Sequence, residues 1–132
     1  RARAAWGECN RINWKCADAS QMSWPDGSYD IVVAYGLFHC LASSASILEV
    51  IHQIQNATKA GGYHAIACFN DRKQELSSAH PGFHPCLLRH AKYLDCYRDW
   101  RTIIVSDKDL VETHPNNNVL HSHSLTRLLA RK

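Results

Sequence analysis

The chain has 132 residues, 45% of them hydrophobic and 20% charged, a balance that excludes a disordered or fibrous protein. Its length fits one domain over 1–132, and no apolar run approaches the ~20 residues needed to cross a bilayer. The formal charge of +3 is scattered without a basic block, so neither nucleic acid nor a membrane is an expected partner, and with no apolar leader at the start a cytoplasmic location is expected.

Residues 1 to 10 are Ala-rich without a start cap and read as the last turns of a helix. Ile12 to Ala17 alternates apolar and polar residues, the pattern of a short strand ending at Asp18. Trp24-Pro25-Asp26-Gly27-Ser28 turns the chain, because Pro fixes φ and Gly permits positive φ. Tyr29 to Tyr35 follows, β-branched and apolar through its middle, which suits a strand buried on both faces of a parallel sheet. Ser43, Ser44 and Ser46 offer N-cap oxygens to a helix whose apolar stripe is Ile47, Leu48, Ile51, Ile54 and Ala57. Lys59-Ala60-Gly61-Gly62 is its expected close, and a second buried strand runs from Tyr63 to Phe69. Strand, helix and strand with short joins make a right-handed parallel crossover.

Pro85 is placed to open another helix, with Leu87, Leu88, Ala91, Leu94 and Tyr97 on its buried side. Trp100 to Val105 reads as a strand, and Asp107 to Glu112 as either a turn or its continuation. Pro115 to Asn118 is a turn cluster, and Val119 to Ala130 suits a final, partly exposed strand antiparallel to the one before it.

None of the six cysteines sits in a Cys-x-x-Cys pair, and several lie in apolar runs, so they read as reduced core residues. Of the nine histidines, His39 follows the Tyr29 to Tyr35 run and the other eight fall into two sets. His52, His64 and His90 lie within elements and read as surface or satisfied core residues. His80, His84, His114, His121 and His123 lie in loops or near strand ends, where imidazole serves proton transfer or metal binding. Their spacings match neither a zinc finger nor a helical His-Glu-x-x-His, so no metal is expected; His121 and His123, two apart on a strand, share a face and are the best pair if one binds.

Ligands of open parallel sheets sit beyond the carboxyl ends of strands. That rule selects Asp18-Ala19, Tyr35-Gly36 with His39, and Asn70-Asp71-Arg72. Asp18 either caps a turn or accepts from an exocyclic amine while the Ala19 N–H donates to a ring nitrogen, reading one edge of an adenine. Tyr35-Gly36 is either a tight turn or a place where a ligand approaches backbone lacking a Cβ. Asn70 to Arg72 is either a solvated loop or a polar grip on a substrate.

Asp18-Ala19-Ser20, the run Trp24 to His39, and Lys59 to Tyr63 resemble, in order, landmarks of class I S-adenosylmethionine-dependent methyltransferases. Phe69-Asn70-Asp71, Pro81-Gly82-Phe83, Tyr97 to Trp100, Glu112-Thr113-His114 and the end Leu129 to Lys132 are similar to the tellurite-resistance branch. The resemblance implies an α/β, three-layer Rossmann-like methyltransferase fold, truncated, with a mainly parallel sheet and an antiparallel last strand. It covers only the later part of that fold, since the chain has no Gly-x-Gly loop.

The resemblance further implies that Asp18, Ala19, Tyr35, Gly36 and His39 face S-adenosylmethionine, with weak or absent binding by this chain alone. It casts Asn70 and Arg72 as positioners of a small-molecule substrate and His114 as base or orienting group, followed by His84 and His123. Pro115 stands where some relatives have Arg. The leading expectation is methyl transfer to a small molecule by a partial methyltransferase domain. The alternatives are a non-enzymatic, methyltransferase-derived binding or self-associating domain and a His-rich metal-binding module. A homo-oligomer, a missing N-terminal segment or re-pairing of the first strand beside Tyr29 to Tyr35 would supply absent strand neighbours.

Overall fold

The computed structural model describes residues 2–7, 11–114 and 117–132. A short helix α1 (Ala2–Trp6) opens it, while Arg1, the helix-tail residues Glu8, Cys9 and Asn10, and Pro115 and Asn116 of the expected turn lie outside the described residues. Four strands form one sheet: β1 (Tyr29–Tyr35), β2 (Thr58–Gln74), β3 (Arg101–His114) and β4 (Asn117–Arg131), in the order β1-β2-β4-β3. β1 pairs parallel with β2, whereas β4 is antiparallel to both β2 and β3, so three strands run one way and the last runs against them. The α/β sheet with its antiparallel last strand is as expected, and because that strand lies inside the sheet one of the three pairings is parallel and two are antiparallel.

Helix α2 (Ser44–Ala57) joins β1 to β2 as the crossover. Ser43 caps it, its Oγ accepting from Ser46 N at 3.1 Å, which satisfies one of the first-turn N–H groups that lack a helical partner. Its buried stripe of Ile47, Val50, Ile51 and Ile54 packs with Ala34, Ile66, Cys68, Leu128 and Ala130 of the sheet, each large side chain contributing roughly 1.5–3 kcal/mol by leaving water. The helix ends at Ala57 without a glycine cap; Gly61 instead takes φ +78 inside a bulge between the pairs Tyr29↔Thr58 and Ile31↔Tyr63.

The third helix, α3 (His90–Cys96), begins five residues later than Pro85 suggested. Leu88 forms a parallel bridge with Asn70, and the Asp71 N–H donates to the Leu88 carbonyl at 3.2 Å, so this stretch is held extended against β2. Leu88 and Tyr97 reach the core as expected, whereas Ala91 is exposed and Tyr93, outside the expected stripe, is fully buried, because the shorter helix presents a different face.

Four other expectations change. Ile12 to Ala17 joins no ladder: it lies outside helix and strand and is largely exposed, because no described strand lies beside it to take its N–H and C=O groups. It does not re-pair beside β1, whose Ile31, Val33 and Tyr35 project into solvent rather than being buried on both faces. The final strand, in contrast, is buried from His121 to Thr126, because it sits between β2 and β3 rather than at an edge. β3 runs unbroken through Asp107 to Glu112, resolving the turn-or-strand ambiguity as strand.

Of the cysteines described, only Cys68 is a buried core residue; Cys16 and Cys40 are exposed, and all five are free. Burial pushes the Cys68 thiol up to about 12. No helix among the described residues is long and apolar enough to cross a membrane.

Candidate functional site

β1 ends at Tyr35, and Gly36 follows at φ +69, a conformation that favours glycine. A Cβ added to Gly36 would meet nothing, so its backbone is open to approach. The single turn Phe38–Cys40 then folds His39 back over β2, where its Nδ1 accepts from the Phe69 N–H at 3.0 Å. That bond places the ring proton on Nε2. Burial, and secondarily the nearby His123, lowers the His39 pKa to about 4, so the ring is neutral at pH 7.

A cleft of about 260 Å³ opens at this rim, where β1 ends and its parallel pairing with β2 stops at Tyr35↔Ala67. Its apolar walls include Tyr35, Phe69, Leu110 and Leu125, with Glu112 and His114 as acid and imidazole. Phe69 is clamped between two imidazoles, its ring centroid 4.1 Å from His39 and 4.2 Å from His123. The stack links the cleft to a group of histidines behind it. His80, on the loop after β2, places Nε2 3.2 Å from the Nε2 of His114, His121 and His123 alike.

This grouping is built by register and a bulge. β3 and β4 pair Leu110 with His123 and Glu112 with His121, so alternate residues of two adjacent strands converge on one face. Between the pairs Phe69↔Leu125 and Gln74↔His123 the β2 strand carries extra residues, and the bulge returns Gln74 to His123. Asn117 Nδ2 donates to the Ala79 carbonyl at 2.9 Å, holding the His80 loop against β4. Burial, then repulsion from His121 and His80, lowers the His123 pKa to about 4; burial followed by His114 and His121 lowers that of His80.

Of the residues singled out from sequence, Tyr35, Gly36, His39 and His114 meet at the cleft, and His123 lies directly beneath it behind Phe69. Asn70 and Arg72 do not point into it. Asn70 is fully buried, donating to Asp107 Oδ1 at 2.8 Å, and Arg72 bridges Asp107 and Asp109 across the sheet. Burial raises the Asp107 carboxyl, but the hydrogen bonds from Asn70 and Arg72 outweigh it and the net shift is downward. His84 is exposed on its loop, outside the group.

Asp18 caps the turn Ala19–Gln21, its Oδ1 accepting from Ser20 N at 2.9 Å and Ser20 Oγ at 2.7 Å, which lowers its pKa. Among the described residues its Oδ2 accepts no hydrogen bond. His64 and His90 are satisfied within the fold, the first between Thr58 and Tyr97 and the second on Thr126. Sequence reasoning paired His121 with His123 but did not bring His80 and His114 to them. The alternating His121-Ser122-His123 was the only local signal, since the other two imidazoles arrive through pairing of distant segments.

The family described as methyltransferase domain matches residues 1–66, half of the chain. No curated protein matches it in sequence. Among solved structures, TehB from Haemophilus influenzae superposes with a TM-score of 0.71 over 89% of this chain at 19% identity. An S-adenosylmethionine-dependent methyltransferase from Mesorhizobium loti superposes at 0.71 over 100% at 14% identity, and a putative methyltransferase from Bacillus halodurans at 0.70 over 92% at 9%. The chain spans 40% of the length of TehB, 74% of the Mesorhizobium protein and 78% of the Bacillus protein. The shared architecture, the crossover from β1 to β2 with β4 reversed, and the family match over half the sequence together show that this chain belongs to the methyltransferase domain family.

Proposed function

We propose that this chain contributes the acceptor side of an S-adenosylmethionine-dependent methyl transfer to a small molecule. The observation that carries the reading is the cleft beyond the carboxyl end of β1, where its parallel pairing with β2 stops, its Tyr35-Gly36 and His39 side lying within the family match. The bound cofactor supplies a sulfonium methyl group. The residues fit it in kind: Gly36 leaves its backbone open, and the free Oδ2 of Asp18 with the Ala19 N–H suits the amine and ring nitrogen of an adenine.

Tyr35, Phe69, Leu110 and Leu125 exclude water from an apolar acceptor, while Glu112 and His114 orient its polar end. Holding an acceptor in line is the main contribution such a site makes. Glu112 and His114 are the groups of this cleft placed to take a proton, where the acceptor has one to lose. Asn70 and Arg72 support the wall through Asp107 and Asp109 rather than gripping substrate.

The 132 residues contain no Gly-x-Gly loop, so affinity for the cofactor resting on this rim alone is low. The edge of β1 that is unpaired among the described residues is completed by a further strand, from another segment of polypeptide or from a second copy. Titration of 15N-labelled protein with S-adenosylhomocysteine tests the reading at low affinity. Amide shifts concentrated at Asp18 to Ser20 and Gly36 to His39 are expected; unchanged amides there at millimolar ligand would sink it.

A further inference from the structure

Four imidazoles converge in the interior: His121 and His123 are buried, and His80 and His114 half-buried. Their nearest nitrogens all lie within 4.8 Å of one another, with His80 Nε2 at 3.2 Å from each of the other three.

Hydrogen bonds fix two of the tautomers. His121 Nδ1 lies 2.8 Å from the Val119 carbonyl, which only accepts, so the proton is on Nδ1 and Nε2 carries a lone pair. Gln74 donates its amide N–H groups to the carbonyls of Asn70 and Ser124, at 2.8 Å and 2.9 Å, which turns its Oε1 toward His123 Nδ1 at 2.8 Å. His123 therefore also carries its proton outside and a lone pair inside. His80 Nε2 has at most one proton to give to these two inward lone pairs. Protein groups alone leave a buried acceptor unpaired, a costly arrangement.

A cation satisfies every inward lone pair at once. Tetrahedral zinc with nitrogens at 2.0–2.1 Å has ligand–ligand edges of about 3.3–3.4 Å, close to the separation found three times here. The carbonyl on His121 and the amide oxygen on His123 are the outer partners that orient metal-bound imidazoles. Glu112 Oε1, 4.0 Å from His123 Nε2, adds a negative charge beside the site. Because Glu112 and His114 also line the cleft, a path leads in from solvent.

We propose that His80, His114, His121 and His123 bind one divalent first-row transition ion of the zinc type through their Nε2 atoms. An all-imidazole set suits zinc, copper, nickel or iron and not calcium or magnesium, which take oxygen ligands. The site stands independently of methyl transfer.

The test uses the whole chain, stripped with a chelator, desalted and titrated with Zn²⁺ against a chromogenic competitor, with metal counted by mass spectrometry and Co²⁺ absorption reporting geometry. His80→Gln and His114→Gln change half-buried ligands, so folding survives and is checked by circular dichroism; His52→Gln, on the exposed face of α2, is the control. Expected are one equivalent of zinc in the parent and in His52→Gln, a tetrahedral Co²⁺ spectrum, and affinity lowered about tenfold or more in both ligand variants. Zinc far below one equivalent, unchanged affinity in both ligand variants, or equal loss in His52→Gln overturns the site.

Discussion

At neutral pH His64 is an uncharged ring with both nitrogens engaged. Thr58 Oγ1 gives its proton to the Ile54 carbonyl and so accepts from His64 Nε2, while Tyr97 OH donates to Nδ1. Burial holds its pKa at about 4 against an ordinary 6.5, so between those values the unfolded chain binds more protons than the folded one. The stability this contributes is complete above pH 6.5 and is lost as pH falls toward 4. Thermal unfolding followed by circular dichroism should show a midpoint that falls across that window, and His64→Gln should flatten the slope. Gly62 offers a second residue-scale check. A Cβ there would sit 2.8 Å from the Asp30 carbonyl oxygen and 2.7 Å from Thr58 Cγ2, so Gly62→Ala should cost roughly 1–3 kcal/mol in urea unfolding.

Elements that stabilise themselves locally follow the sequence well. Helix α2 begins at the predicted serine cap and buries Ile47, Ile51, Ile54 and Ala57 of the predicted stripe, with Val50 buried in place of the half-buried Leu48, because cap and stripe both depend on residues three and four apart. Ser43→Ala should therefore cost about 0.5–2 kcal/mol and Ile51→Ala about 2–5 kcal/mol, read as shifts of the urea midpoint at constant slope. Elements that depend on a distant partner follow it poorly. The alternating Ile12 to Ala17 looks like a strand and finds no ladder, while Pro85 to Leu88 looks like helix and is drawn straight by Asn70 and Asp71.

At the scale of the molecule, α2 and α3 cover one face of the sheet, and among the described residues the other remains open beside β1. Val33 is 68% and Tyr35 77% exposed, and with Ala65, Ala67, Leu129 and Ile104 they border one apolar hollow. Open apolar surface beside an unpaired strand edge favours association. Sedimentation velocity should show self-association that rises with concentration and weakens in Val33→Glu; a monomer at all concentrations would contradict completion by a second copy.

By itself the sequence determined the α2 crossover, the parallel strands around it and the Tyr35-Gly36 rim, since hydrophobic period, caps and a glycine at positive φ are local properties. It also carried the family resemblance. Tertiary structure alone decided that β4 lies inside the sheet, that Asn70 and Arg72 face Asp107 and Asp109, and that four histidines meet. Strand register sets those neighbours, and register is fixed by pairing between segments far apart in the chain.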